Sequence, residues 1–140
     1  MEAAFWDASA FVPLCVEENA SQPALQLFAQ FAPVIWWSTP VEVHGAIARL
    51  QRMRMIDITR ADLARRDARD RAALCHVIVP SDDIREFAFQ VLDEYDLKAA
   101  DALQLAAALR WRGRNANLFV SANKKLRSAA LQAGFNCPEL

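Results

Sequence analysis

Short apolar runs alternate along this chain with longer amphipathic stretches. Ala3–Trp6, Val34–Trp37, His76–Val79, Leu118–Ser121 and Phe135–Cys137 read as strands. Several are continuously apolar, the pattern of strands covered on both faces. Between them the period lengthens to that of a helix. Ile84, Phe87, Ala88, Val91, Leu92 and Tyr95 recur at i, i+3, i+4, i+7, i+8 and i+11, a stripe down one helix face. Val43, Ala46, Ile47, Leu50 and Met53 form a second stripe. Leu25, Phe28, Phe31 and Ala32 form a third, behind the start signals Asn19, Ser21 and Pro23. A further helix is read around residues 61–74. This alternation predicts an α/β fold with a parallel central sheet of about five strands and helices on both faces. Right-handed crossovers then gather the C-terminal ends of the strands along one edge, where ligands bind in open sheets.

The 140 residues suit a single domain over 1–140. A 54% hydrophobic and 24% charged composition supports a packed core. No apolar run reaches the roughly 18 residues that would span a bilayer. The opening Met1–Asp7 lacks a basic stretch and a long apolar stretch, so no signal peptide is read there and a cytoplasmic protein is expected. Cys15, Cys75 and Cys137 are odd in number and scattered, as expected of reduced thiols rather than a disulfide framework or a zinc site. Net charge is −1. A chain that held nucleic acid by bulk charge would be basic, so any such contact here is local or assisted by bound cations.

Several chemistries are excluded. The three glycines, Gly45, Gly113 and Gly134, are isolated, so neither a P-loop nor a dinucleotide fingerprint exists. There is no Gly-x-Ser-x-Gly elbow. His44 and His76 lack metal-ligand spacing. Carboxylates are left as the main candidates. Asp7 follows the first strand, Glu42 lies in Ser38-Thr39-Pro40-Val41-Glu42 after the second, and Asp101 is the lone acid of an apolar stretch at a helix start. Each has a local reading: Asp7 as an N-cap, Glu42 in a capping box with Thr39, and Asp101 as a cap or helix-dipole partner. Caps alone do not say why three acids follow different elements on the same expected edge. Gathered acids repel unless cations offset them, and Mg²⁺ and Mn²⁺ favour such oxygen ligands.

At these residues the chain resembles the PIN-domain family, specifically the VapC-like toxin ribonucleases of toxin–antitoxin systems. Asp7-Ala8-Ser9-Ala10-Phe11 followed by Glu17-Glu18 resembles the family's opening motif. Thr39-Pro40-Val41-Glu42, with Ala46 and Arg49-Leu50 downstream, resembles its second. Leu97-Lys98-Ala99-Ala100-Asp101-Ala102-Leu103-Gln104-Leu105-Ala106 is similar to the third and is the most specific match. Leu118-Phe119-Val120-Ser121-Ala122-Asn123-Lys124-Lys125-Leu126, then Ala129-Ala130 and Gly134, resembles the fourth. Two positions depart from the pattern. Pro13 stands where a basic residue is common, and Asn123 stands where the family usually has Asp. Asn offers a carbonyl oxygen without the charge.

The resemblance implies a PIN-like fold and hydrolysis of RNA phosphodiester bonds. Asp7 and Asp101 would bind Mg²⁺ or Mn²⁺ directly, and Glu42 directly or through water. Asn123 would be a weak or second-site ligand. Ser9, Arg49, Ser121, Lys124 and Lys125 are the implied substrate contacts, with the basic ones meeting backbone phosphates. Implied partners are RNA, a cognate antitoxin and a second copy in a homodimer, with no membrane. Arg65, Arg66, Arg69 and Arg71, interleaved with Asp62, Asp67 and Asp70, read mainly as a solvated helix face. Trp36-Trp37 reads as core packing rather than a base-stacking platform. The alternative function is a catalytically weakened PIN domain that binds RNA or an antitoxin. A receiver-like phosphoacceptor would need adjacent acids after the first strand, where Ala8 stands.

Overall fold

A computed structural model describes residues 1–113 and 116–140. In chain order the elements are β1 (Ala3–Trp6), α1 (Ala8–Cys15), α2 (Ser21–Gln30), β2 (Ala32–Trp36), α3 (Thr39–Arg52), α4 (Ile58–Ala72), β3 (His76–Ile78), α5 (Asp82–Glu94), α6 (Ala99–Trp111), β4 (Leu118–Val120) and α7 (Lys124–Gln132). The four strands form one parallel sheet in the order β3-β2-β1-β4. β1 is central and pairs Phe5 with Val34 on one side and with Phe119 on the other. The chain runs outward from β1 to β2 and β3, then returns to the opposite side of β1 as β4. This reversal opens a crevice between the C-terminal ends of β1 and β4, the place where doubly wound sheets bind ligands.

Strand alternation divides the core into two layers. Phe5, Val34, Trp36 and Phe119 face α5, α6 and α7, and Phe5 stacks on Phe119 at 5.5 Å between ring centroids. Ala4, Trp6, Ile35 and Val120 face α1 to α4 with Phe11, Val43 and Ile47. Helices therefore cover both faces, which accounts for strands with no polar alternation.

Among the described residues four strands form rather than about five. Phe135–Cys137 contributes only a single parallel bridge, Leu118 to Asn136. Phe135 is buried by its ring, 5.6 Å from Phe119, and not by a ladder. The third expected stripe is also only partly helical. Phe31 caps α2, Ala32 opens β2, and Ala24 is the buried residue of that helix. In the α5 and α3 stripes the outermost members, Leu92 and Met53, are exposed. Of the tryptophan pair, Trp36 is core, whereas Trp37 lies past the end of β2 and is 57% exposed. The arginine-rich helix α4 is laced by ion pairs Arg65–Asp62 and Arg71–Asp67, each 3.0 Å. Cys15 and Cys75 are free thiols pushed up to about 12 by burial, so they stay protonated.

A glycine-dependent turn ends α7. Gly134 has φ +97, Gly134 N–H donates to the Leu131 carbonyl, and Phe135 N–H donates to the Ala130 carbonyl. This Schellman pattern closes the last carbonyls and drops Phe135 into the core. An added Cβ would meet Arg112 Nη1 at 3.4 Å, an ordinary contact, so the penalty for alanine is one of backbone conformation. Gly134→Ala is expected to cost about 1 kcal/mol, read as a lowered urea midpoint with an unchanged slope. An unaltered midpoint would show that the left-handed turn is not what stops the helix.

Candidate active site

Asp7 leaves β1 and caps α1. Its backbone N–H still belongs to the sheet, donating to the Val120 carbonyl at 3.1 Å. Its carboxylate is turned back into the crevice and is only 2% exposed. Ala10 N–H donates to Oδ1 at 3.0 Å, the N-cap contact expected of this position. Ser9 Oγ lies 2.8 Å from Oδ1 and 2.9 Å from Oδ2, and Ser121 Oγ donates to Oδ2 at 2.7 Å. Ser121 stands just past β4, so both sides of the crevice hold the same carboxylate. Ser9 also ties the sides together by accepting from Ala122 N–H at 2.9 Å.

Glu42 arrives from the α1–α4 layer, in the first turn of α3, half-buried. The expected capping box does not form. Ser38 is the N-cap residue, with no side-chain cap bond, and Thr39 lies inside the helix. Both oxygens assigned to the box are taken by one amide from the opposite layer. Gln104 Nε2 donates to Glu42 Oε2 at 2.7 Å and to Thr39 Oγ1 at 3.0 Å. Asp101 enters from α6, one turn before Gln104, in the first turn of a helix whose N-cap is Lys98. Asn123 caps α7 with Oδ1, accepting from Leu126 N–H at 3.1 Å, and donates Nδ2 to Asp101 Oδ2 at 3.3 Å. Asn123 thus turns its amide hydrogens, not a free oxygen, toward the acids.

The three carboxylates influence one another. Burial raises Asp7 to about 6, against hydrogen bonds from Ser121, Ser9 and Ala10, and the Asp101 charge pushes the same way. Burial also raises Glu42; the Gln104 bond lowers it, and the Asp101 and Asp7 charges raise it again. Among the described residues no Lys, Arg or His pairs with any of the three. The donor set therefore suits a hard divalent ion: all oxygen, and short of positive charge. As positioned, no three His, Cys, Asp or Glu side chains among the described residues group tightly enough to hold an ion.

The expected basic contacts divide. Arg49 shares a groove of about 540 Å³ with Glu42, Glu18 and Arg52. Lys124 and Lys125 begin α7 but line a separate groove with Tyr95 and Leu97, where Lys125 Nζ pairs with Asp96 at 3.2 Å. Gln104 and Thr39 are the site residues that sequence reading did not assign. Gln104 stood in the third motif as a polar residue between apolar Leu103 and Leu105, with no role assigned to it.

Sheet order and the position of Asp7 define a parallel α/β fold with a carboxylate at the switch point. No protein-family model matches the chain, and no curated protein sequence does. Among solved structures, a chain of a toxin–antitoxin complex from Klebsiella pneumoniae shares the fold with a TM-score of 0.65 and 22% identity, over 88% of each chain. VapC20 of Mycobacterium tuberculosis, described as a sarcin-ricin loop cleaving toxin, also gives 0.65, at 17% identity over 96% of this chain and 97% of that one.

The raised Asp7 carboxyl makes a linkage prediction. Below 3.8, its ordinary value, folded and unfolded chains both hold the proton. As pH rises from there to about 6, the unfolded chain releases the proton and the folded one keeps it, so stability falls. Above that window a fixed deficit of roughly 3 kcal/mol remains. In chelator-treated buffer the stability of Asp7→Asn relative to the parent is therefore expected to improve by roughly 2–3 kcal/mol between pH 3.5 and pH 7.5 in urea unfolding, whatever the amide costs in hydrogen bonds. A difference between the two proteins that does not change with pH would show that the buried charge carries no such penalty.

Proposed function

We propose that this chain is a metal-dependent endoribonuclease of the VapC toxin type, hydrolysing RNA phosphodiester bonds with Mg²⁺ or Mn²⁺. The observation that carries the reading is the meeting of Asp7, Glu42 and Asp101. They come from the end of the central strand and from both helical layers, near enough that the Asp101 and Asp7 charges raise the Glu42 carboxyl. Among the described residues no cationic side chain pairs with them. Fold likeness to a toxin described as cleaving the sarcin-ricin loop supports RNA as the substrate. Likeness to a chain of a toxin–antitoxin complex supports a protein antitoxin as partner. The reading extends to a homodimer working in the cytoplasm. Exposed apolar side chains on the α3–α4 hairpin, among them Met53, Met55, Ile58 and Leu63, support a surface that a partner covers. No helix among the described residues is long and apolar enough to cross a membrane.

In this mechanism Asp7 and Asp101 would hold the ion, and Glu42 would join them or orient a water. Bound there, the ion would supply Lewis acidity: a lowered pKa for a water and positive charge to meet the phosphate. Ser9 and Ser121 fix the Asp7 carboxylate so that its lone pairs keep one direction. Arg49, two turns along α3 from Glu42 and lining the same groove, would meet the phosphate backbone and position RNA without reading its sequence. Asn123 lends Asp101 a hydrogen bond in place of a fourth negative charge.

RNA cleavage by the purified protein is expected to need Mn²⁺ or Mg²⁺ and to stop with EDTA. Asp7→Asn and Asp101→Asn should each lower it at least about 100-fold with circular dichroism unchanged. Full cleavage by both variants would remove these acids from the mechanism. Asn123→Asp replaces the Nδ2 donor with a fourth acid and keeps the cap oxygen. It is expected to tighten Mn²⁺ binding in calorimetric titration, since affinity at hard oxygen sites follows ligand charge. Equal affinity and stoichiometry would place residue 123 outside the metal site.

The engaged Asn123 side chain also favours a second reading, a weakened domain that binds RNA or antitoxin without turnover. No cleavage at saturating Mn²⁺, with RNA binding retained, would select it.

A further inference from the structure

Glu42 sits on the first turn of α3, beside an open groove that also contains Arg49. A glutamate there has three rotatable bonds and a cation within the same groove to attract it. Nothing in α3 itself points it toward Asp7 and Asp101 except Ser38 Oγ, at a long 3.4 Å. The restraint comes from the opposite layer. Gln104 is 1% exposed, and its two amide hydrogens are committed to Glu42 Oε2 and Thr39 Oγ1. Thr39 is fully buried, so it anchors the amide.

The amide orientation is chemically determined. A carboxylate only accepts, so Nε2 must face Glu42. Gln104 Oε1 is then left buried without a partner among the described residues. An apolar side chain of the same length would avoid that unmet acceptor, so core packing does not account for glutamine here. The contact with Glu42 does.

We infer that Gln104 is a positioning residue: it holds the Glu42 carboxylate over the crevice, using Thr39 as its fixed point. The consequence for the ion rests on the nuclease reading. α6 then acts twice, supplying Asp101 and, one turn later, fixing the acid contributed by α3. A hydrogen-bond partner that orients an oxygen ligand affects affinity on the order of 10–100-fold.

The test is Gln104→Met, which keeps length and removes both donors. Three-bond couplings by NMR are expected to show one Glu42 side-chain rotamer in the parent and averaging in the variant. Mn²⁺ alone, titrated by calorimetry, should bind about tenfold more weakly, and kcat on RNA should fall with KM unchanged. In a Glu42→Gln background the same substitution should change Mn²⁺ affinity no further. If Gln104→Met is poorly folded, the double variant Thr39→Val with Gln104→Met removes the stranded hydroxyl and takes the same measurements. An unchanged Glu42 rotamer, or unchanged Mn²⁺ affinity with unchanged kcat, overturns the inference. A parent protein that neither binds Mn²⁺ nor cleaves RNA overturns the nuclease reading instead, and the Glu42 couplings then still decide the contact.

Discussion

The site depends on keeping one carboxylate almost out of water at the end of the central strand. Asp7 cannot move without breaking something structural: its N–H is part of the β1–β4 ladder and its Oδ1 caps α1. Ser9 and Ser121, from different sides of the crevice, add one hydroxyl donor each and leave the carboxylate a free acceptor site. Stability and function pull against each other here. Burial opposes the charge on Asp7, and the hydrogen bonds from Ser9, Ser121 and Ala10 offset part of that cost. Such conflicts between local stability and a retained polar group mark functional sites more often than structural ones.

The other acids are placed by the same economy of topology. A central first strand, with neighbours added on one side and then the other, puts the crevice beside β1. Helices of the two layers then start around it. α3 brings Glu42 from one face and α6 brings Asp101 from the other, each in a first helical turn where the helix dipole favours an acid. Gln104 crosses the edge of the sheet between these layers, so the relative placement of the two acids is a property of layer packing rather than of either helix.

Much of this was legible in the sequence because it is local. Continuous apolar runs marked strands buried on both sides, and an acid directly after a run marked the strand-end edge. The family pattern extended this to Ser121 and Asn123. What escaped was set by contacts distant in sequence. Thr39 and Glu42 have capping-box spacing, yet the box lost to an amide more than sixty residues away. Phe135–Cys137 has the composition of a strand, but the turn at Gly134 leaves Phe135 to pack as a ring against Phe119. Trp36 and Trp37 are adjacent and alike. Only the end of β2 between them decides that one is core and the other faces solvent.

The order of the elements along the chain also bears on when the site comes into being. Asp7 and Ser121 lie 114 residues apart, and Ser121 and Asn123 follow β4. Until β4 is laid beside β1, Asp7 lacks its shortest hydrogen bond and the crevice has only one wall. The Ser121 hydroxyl therefore reaches the Asp7 carboxylate only when a strand far along the chain is laid back beside β1.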